Sequence, residues 1–123
     1  MTADWCPVAG FPGYEVNSQG QVRSLDRIDN LGRPRRGRLL KPRDANQKGH
    51  LSVVLSHDGL RQTARVHRLV ASAFIPNPLG YPLVRHLNGN PADNRAANLA
   101  WGDVAMNWAD ARRHGTARRA AGH

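Results

Sequence analysis

The sequence predicts an α+β fold: small antiparallel strands followed by a strand–loop–strand–helix unit. Two observations carry this. The first half holds only short runs of alternating apolar and polar residues, broken by Gly, Pro and Asn clusters, which is how half-buried strands read. The period then changes: Val66, Leu69, Val70, Ala73 and Phe74 fall at i, i+3, i+4, i+7 and i+8, one stripe of a helix. With 123 residues the chain is one domain's worth of polymer.

The elements follow in order. Gly10, Pro12 and Gly13 break the chain near the start; Tyr14-Glu15-Val16 and Gln21–Ser24 alternate on either side of the turn cluster Asn17-Ser18-Gln19-Gly20, which predicts a hairpin. Residues 26–38 carry five arginines among Gly32, Pro34 and Gly37 with no core face, and read as a basic loop. Arg38–Pro42 reads as a short edge strand stopped by its proline. His50–Ser56 is the strongest strand, and the turn Asp58-Gly59 leads into its partner, from Leu60 to about Arg65. The helix from Val66 ends before Pro76 and Pro78. Val84–Leu87 and Leu99–Trp101 read as paired strands around the loop Asn88-Gly89-Asn90-Pro91. Asp103 is the expected N-cap of a last helix, from Val104 to about His114, with Val104, Trp108 and Ala111 stacked on one face and Gly115 as its stop. The chain divides into a strand-rich part (1–58), a second part (59–115) and a basic tail (116–123).

Composition narrows the partners. The formal charge is +9, and sixteen of the eighteen basic residues are arginines. Arginine binds phosphate through a planar fork, so the expected partner is a polyanion. Cys6 is the single cysteine, which excludes an internal disulfide and a multi-cysteine zinc site. No apolar run approaches the roughly 18 residues of a membrane span, and Met1–Asp4 lacks the flank of a signal peptide, so a reducing cytoplasm is expected.

His86, Asn98 and Asn107 stand out as candidate chemistry: a histidine at a strand end, an asparagine in the returning loop and another one turn into the last helix. If the helix packs across the hairpin, His86 and Asn107 face each other. Imidazole can take a proton from water near neutral pH, and an amide oxygen can ligate a hard cation without adding charge. Together they suit metal-assisted phosphodiester hydrolysis. Taken singly, His86 is an ordinary strand-end histidine, Asn107 a helix-surface amide and Asn98 a loop brace. Trp101, Trp108 and Phe74 read as core. Asn88, Asn90 and Asn94 read as turn formers, one of which could touch a phosphate.

These residues sit in a longer resemblance. Val66-His67-Arg68-Leu69-Val70-Ala71, Phe74-Ile75-Pro76-Asn77-Pro78, His86-Leu87-Asn88-Gly89-Asn90 and Asp93-Asn94-Arg95-Ala96-Ala97-Asn98-Leu99-Ala100-Trp101 resemble the HNH endonucleases of phages and group I introns. The stretch from Trp5 to Ser24 is similar to the short module upstream of HNH domains in phage homing endonucleases. The resemblance implies a ββα-metal (His-Me finger) unit in 59–115, a DNA-contacting module with the basic loop in 1–58, double-stranded DNA as partner and Mg²⁺ or Mn²⁺ as cofactor. Position by position it makes His86 the general base, Asn98 the brace of the loop and Asn107 a metal ligand. The family usually has Asp, sometimes Asn or His, before the base as second ligand; here Arg85 stands there. Several outcomes stay open: Asp103 or Asp110 helps hold the metal, the DNA phosphate does so, Arg85 itself clamps the phosphate, or cleavage is crippled.

The resulting expectation is a metal-dependent HNH endonuclease of nicking or homing type, monomeric or homodimeric, acting in a phage host's cytoplasm. The alternative is a catalytically impaired DNA-binding module of the same fold. Arg33, Arg35, Arg36 and Arg38 of the basic loop are the expected DNA contacts, joined by His67 and Arg68.

Overall fold

The computed structural model describes residues 4–29, 31–44, 49–57 and 59–113. The predicted tail 116–123, the helix stop at His114-Gly115 and Asp58 of the hairpin turn lie outside these residues. The fold is α+β, as expected. Strands β1 (Cys6–Val8), β2 (Phe11–Val16) and β3 (Val22–Ser24) form a three-stranded antiparallel sheet. Three two-stranded units follow: β4 (Arg27–Ile28) with β5 (Pro34–Arg35), β6 (Ser52–His57) with β7 (Leu60–Arg65), and β8 (Leu83–His86) with β9 (Leu99–Gly102). Helix α1 (Val66–Phe74) connects the second unit to the third, and α2 (Val104–Arg113) follows β9.

Local chemistry explains the joints. Between β2 and β3 the buried Asn17 accepts the backbone N–H groups of Gln19 (3.1 Å) and Gln21 (2.9 Å) on its Oδ1, tying the turn to itself. Pro12-Gly13 does not break β2, because the strand pairs only through Tyr14–Val16 on the β3 side. The basic loop contains a small ribbon: Arg27 pairs with Arg35 and Ile28 with Pro34, closed by Asp29, whose Oδ1 accepts from the backbone of Leu31 and Arg33, both at 2.9 Å. The edge strand expected over Arg38–Pro42 is reduced to one bridge, Leu39 opposite Arg23.

One core joins these pieces. Val8, Tyr14, Val16, Val22, Val53 and Leu55 from the first half pack with Val66, Val70, Ala71, Val84 and Leu99. The division drawn at 58–59 falls inside a single hairpin, whose pairing runs from His57 opposite Leu60 to Ser52 opposite Arg65. α1 buries Val66 and Val70 of the predicted stripe together with Ala71, while Leu69, Ala73 and Phe74 are half-buried against the core. α2 departs from expectation. Val104 and Trp108 are 60% and 47% exposed, and the buried residue is Asp110. Trp108 is therefore not core. Trp101 is, half-buried with its indole N–H donating to the Ile75 carbonyl at 2.9 Å.

Candidate functional site

His86 ends β8 opposite Leu99, so the hairpin places it where the chain turns into the loop 87–98. Its Nε2 lies 2.8 Å from Oδ1 of the buried Asn94. An amide oxygen only accepts, so in this contact the ring donates from Nε2, which leaves Nδ1 outside the contact. Asn98, also buried, ties the loop shut: its Oδ1 accepts from the Asn88 backbone (3.0 Å), and its Nδ2 donates to Asn88 Oδ1 (3.0 Å) and the Asp93 carbonyl (2.9 Å). Three of its four side-chain hydrogen-bonding capacities are thus spent on the loop. Arg95 forks onto Asp93 with two contacts of 2.8 Å. This fork, aided by the Arg95 backbone N–H and the Asn88 amide, holds the Asp93 carboxyl far below the usual carboxylate range.

Arg85, one residue before His86, turns to the other side. Its Nε and Nη2 reach Asp110 Oδ2 and Oδ1 at 2.6 and 2.9 Å, and Arg113 also bonds to Oδ1. The Arg85 stem crosses Gly102, where a Cβ would stand 2.3 Å from its Cδ. Only glycine leaves room for that passage. The fork with Asp110 raises the already high Arg85 pKa, against some desolvation, with Asp103 adding a little. The pair clasps α2 to β8. Asp103 caps α2, its Oδ1 accepting the Met106 N–H at 2.9 Å. Asn107 is exposed on α2, three residues before Asp110, and its side chain makes no hydrogen bond among the described residues.

Two further imidazoles stand against His86. The ring of His67, at the start of α1, is 5.2 Å away and that of His50, just before β6, is 6.1 Å away, with 6.0 Å between these two. Burial first, then the charges of His86, His50, Arg68 and Arg65, push the His67 pKa down from 6.5 to about 3, so the ring is neutral at ordinary pH. Its Nδ1 is buried with no hydrogen-bond partner.

The expected DNA contacts separate into groups. Arg35, Arg36 and Arg38 line an open groove of about 750 Å³ together with Arg27, Arg61 and Tyr14. Arg33 is bound to Asp29 (3.3 Å), as is Arg35 (3.0 Å). His67 belongs with His86 instead, and Arg68 donates to the Pro82 carbonyl at 2.9 Å beside the Trp101 ring.

Residues 4–56 match the NUMOD4 motif. Over 107 residues, 87% of the chain, the sequence is 33% identical to an uncharacterized HNH endonuclease of Acanthamoeba polyphaga mimivirus, covering 29% of that protein. It is 31% identical over 102 residues to DNA endonuclease I-HmuI of Bacillus phage SP01, covering 80% of this chain and 51% of that one. A solved structure of the HNH homing endonuclease I-HmuI, described as showing DNA binding and cleavage, superposes with a TM-score of 0.72 at 30% identity over 92% of this chain and 60% of its own. Over most of its length the chain is similar to HNH endonucleases. It spans about half the length of the phage relative, and less of the viral one.

HNH enzymes of this kind imply a divalent cation, and the donor set can be tested against one. Among the described residues no three of His, Cys, Asp and Glu are arranged to hold a metal. Asp110 is spent on arginines, Asp103 on the cap of α2 and Asp93 on Arg95. Beside the imidazoles, which are poor ligands for a hard cation, what remains is one neutral carboxamide, Asn107, too little for a self-sufficient site. The residues do not fit a protein-held metal.

Sequence reasoning missed three participants. Asn94 reads from the sequence as a turn former or a phosphate contact, and nothing local to it tells that it will meet His86. Asp110 was placed among possible metal holders, while an arginine in the usual ligand position was itself the sign that a carboxylate must answer it. His50 carried no signal, since nothing local tells that a residue before β6 will meet β8.

Proposed function

We propose that this chain is a nuclease hydrolysing phosphodiester bonds in double-stranded DNA, with His86 as general base. The observation that carries the reading is the 2.8 Å contact between His86 Nε2 and Asn94 Oδ1, which leaves Nδ1 as the proton acceptor. Nδ1 takes a proton from water as the water oxygen bonds to phosphorus; the bond from phosphorus to the leaving deoxyribose oxygen breaks, and solvent protonates that oxygen. Asn98 braces the loop behind the base. Arg85, held by Asp110, fixes α2 beside β8 and is a positioning residue in this scheme, not a phosphate clamp. The arginine-lined groove holds the DNA backbone electrostatically. The related phage enzyme is named as a DNA endonuclease, which supports the substrate class.

A plasmid-nicking assay tests this, with wild type and His86→Ala compared in Mg²⁺, Mn²⁺ and EDTA. Wild-type nicking that falls at least about 100-fold in His86→Ala, with DNA affinity kept, is the expected result. Equal DNA binding by both proteins with no cuts under any condition would leave a binding module instead.

A further inference from the structure

Two turns of the N-terminal half press on the loop that orients His86. In the first, Gly20 has a φ of +88°, and a Cβ there would stand 3.0 Å from the Asn94 carbonyl oxygen, 3.1 Å from its carbon and 3.2 Å from the Asn94 Cβ. Beside it the Ser18 carbonyl accepts the Ala96 N–H at 2.8 Å. In the second, Gly49 has a φ of +87°, and a Cβ would fall 2.6 Å from Cγ of Pro91. Both positions have a left-handed backbone, strained for any other L-residue; at Gly49 a side chain would overlap Pro91, and at Gly20 it would press tightly on Asn94. They bracket the loop at Pro91 and at Asn94–Ala96. Asn94 is 5% exposed, and its side-chain oxygen receives the His86 ring.

We propose that the N-terminal half is a wall of the nuclease site: the turns at Gly20 and Gly49 set Asn94, and Asn94 is a positioning residue that fixes the tautomer of His86. The segment matching the NUMOD4 motif, which contains both glycines, thus acts on the base as well as on whatever the basic groove holds. An imidazole freed from Asn94 distributes its proton between Nδ1 and Nε2, and the fraction with Nδ1 protonated cannot act as base there. This inference rests on the reading of His86 given above, and the two are separable by experiment.

The test uses the full chain with ¹⁵N-labelled histidine, comparing wild type with Asn94→Ala, Asn94→Asp, Gly20→Val and Gly49→Ala. Imidazole ¹⁵N shifts report the His86 tautomer without DNA; single-turnover cleavage and DNA affinity are measured in parallel. Wild type is expected as the Nε2–H form. Asn94→Ala, Gly20→Val and Gly49→Ala move signal to the mixed-tautomer position and slow cleavage about tenfold or more, while affinity stays within about twofold. Asn94→Asp, which keeps an acceptor oxygen, restores the Nε2–H form. If Gly20→Val fails to fold, the Asn94 pair and Gly49→Ala still decide. An unchanged tautomer in Asn94→Ala overturns the proposal, as do wild-type spectra and rates in the glycine variants. Tautomer changes in the variants, with a wild type that cuts no DNA, would uphold the positioning and remove the nuclease reading; a wild type that cuts, with unmoved tautomers in the variants, would do the reverse.

Discussion

Arg85 and Asp110 illustrate how a single side chain changes the meaning of a motif. The side chains are 21% and 7% exposed, and the fork between them joins the strand of the base to the helix of Asn107. Removing one partner leaves a buried charge short of its answer, so Arg85→Ala is expected to cost about 2–4 kcal/mol in urea denaturation, with Arg113 sparing part of the loss. The double variant Arg85→Met/Asp110→Leu should recover most of that stability. A second residue-level effect concerns His67. Its pKa is lowered from 6.5 to about 3 in the folded chain, so between those values the unfolded state binds the extra proton. Stability supplied by keeping this ring neutral is complete above pH 6.5 and is lost as pH falls toward 3. Urea melts of His67→Gln should therefore show a shallower decline from pH 7 to pH 5 than wild type.

At the level of elements, what the sequence made legible depended on how local the physics is. β6, β7 and α1 announce themselves through period and turn chemistry, and the pairing of β8 with β9 follows from two apolar runs around an Asn-Gly-Asn loop. Asp103 was visible as a cap because capping needs only its own first turn. Asp103→Ala should destabilise by about 1 kcal/mol and loosen α2, which carries Asn107; thermal melts and nicking rates check both. The face of α2 was not legible. Val104, Trp108 and Ala111 make a fair apolar stripe, yet the helix turns Asp110 inward, where it meets Arg85, and leaves Val104 and Trp108 exposed. That choice is tertiary, and no helical period reveals it. His86 and Asn98 could be picked out from their spacing, whereas the contacts of His86 with Asn94, His50 and His67 depend on chain crossings that spacing does not encode.

For the whole molecule, the charge of +9 becomes a shaped object: five arginines from β4, the β5 region and β7 surround one groove, some way from a purely diffuse basic surface. Binding to a short duplex, followed by fluorescence anisotropy from low to moderate salt, should weaken steeply as counterions return. Replacing Arg36, Arg38 and Arg61 by Gln should lower the slope of log affinity against log salt by about 2–3, with little change in preference among sequences. A flat response would place the footprint elsewhere.

The hairpin of β6 and β7 straddles the midpoint of the chain; β6 delivers Val53 and Leu55 to the shared interior, and β7 leads into α1, which adds Val66, Val70 and Ala71. A cut at its tip gives two pieces that each lack half of what must be hidden from water. Expressed as separate polypeptides they would be a split protein, idle apart and restored by strand complementation, with any DNA-cutting confined to cells that make both.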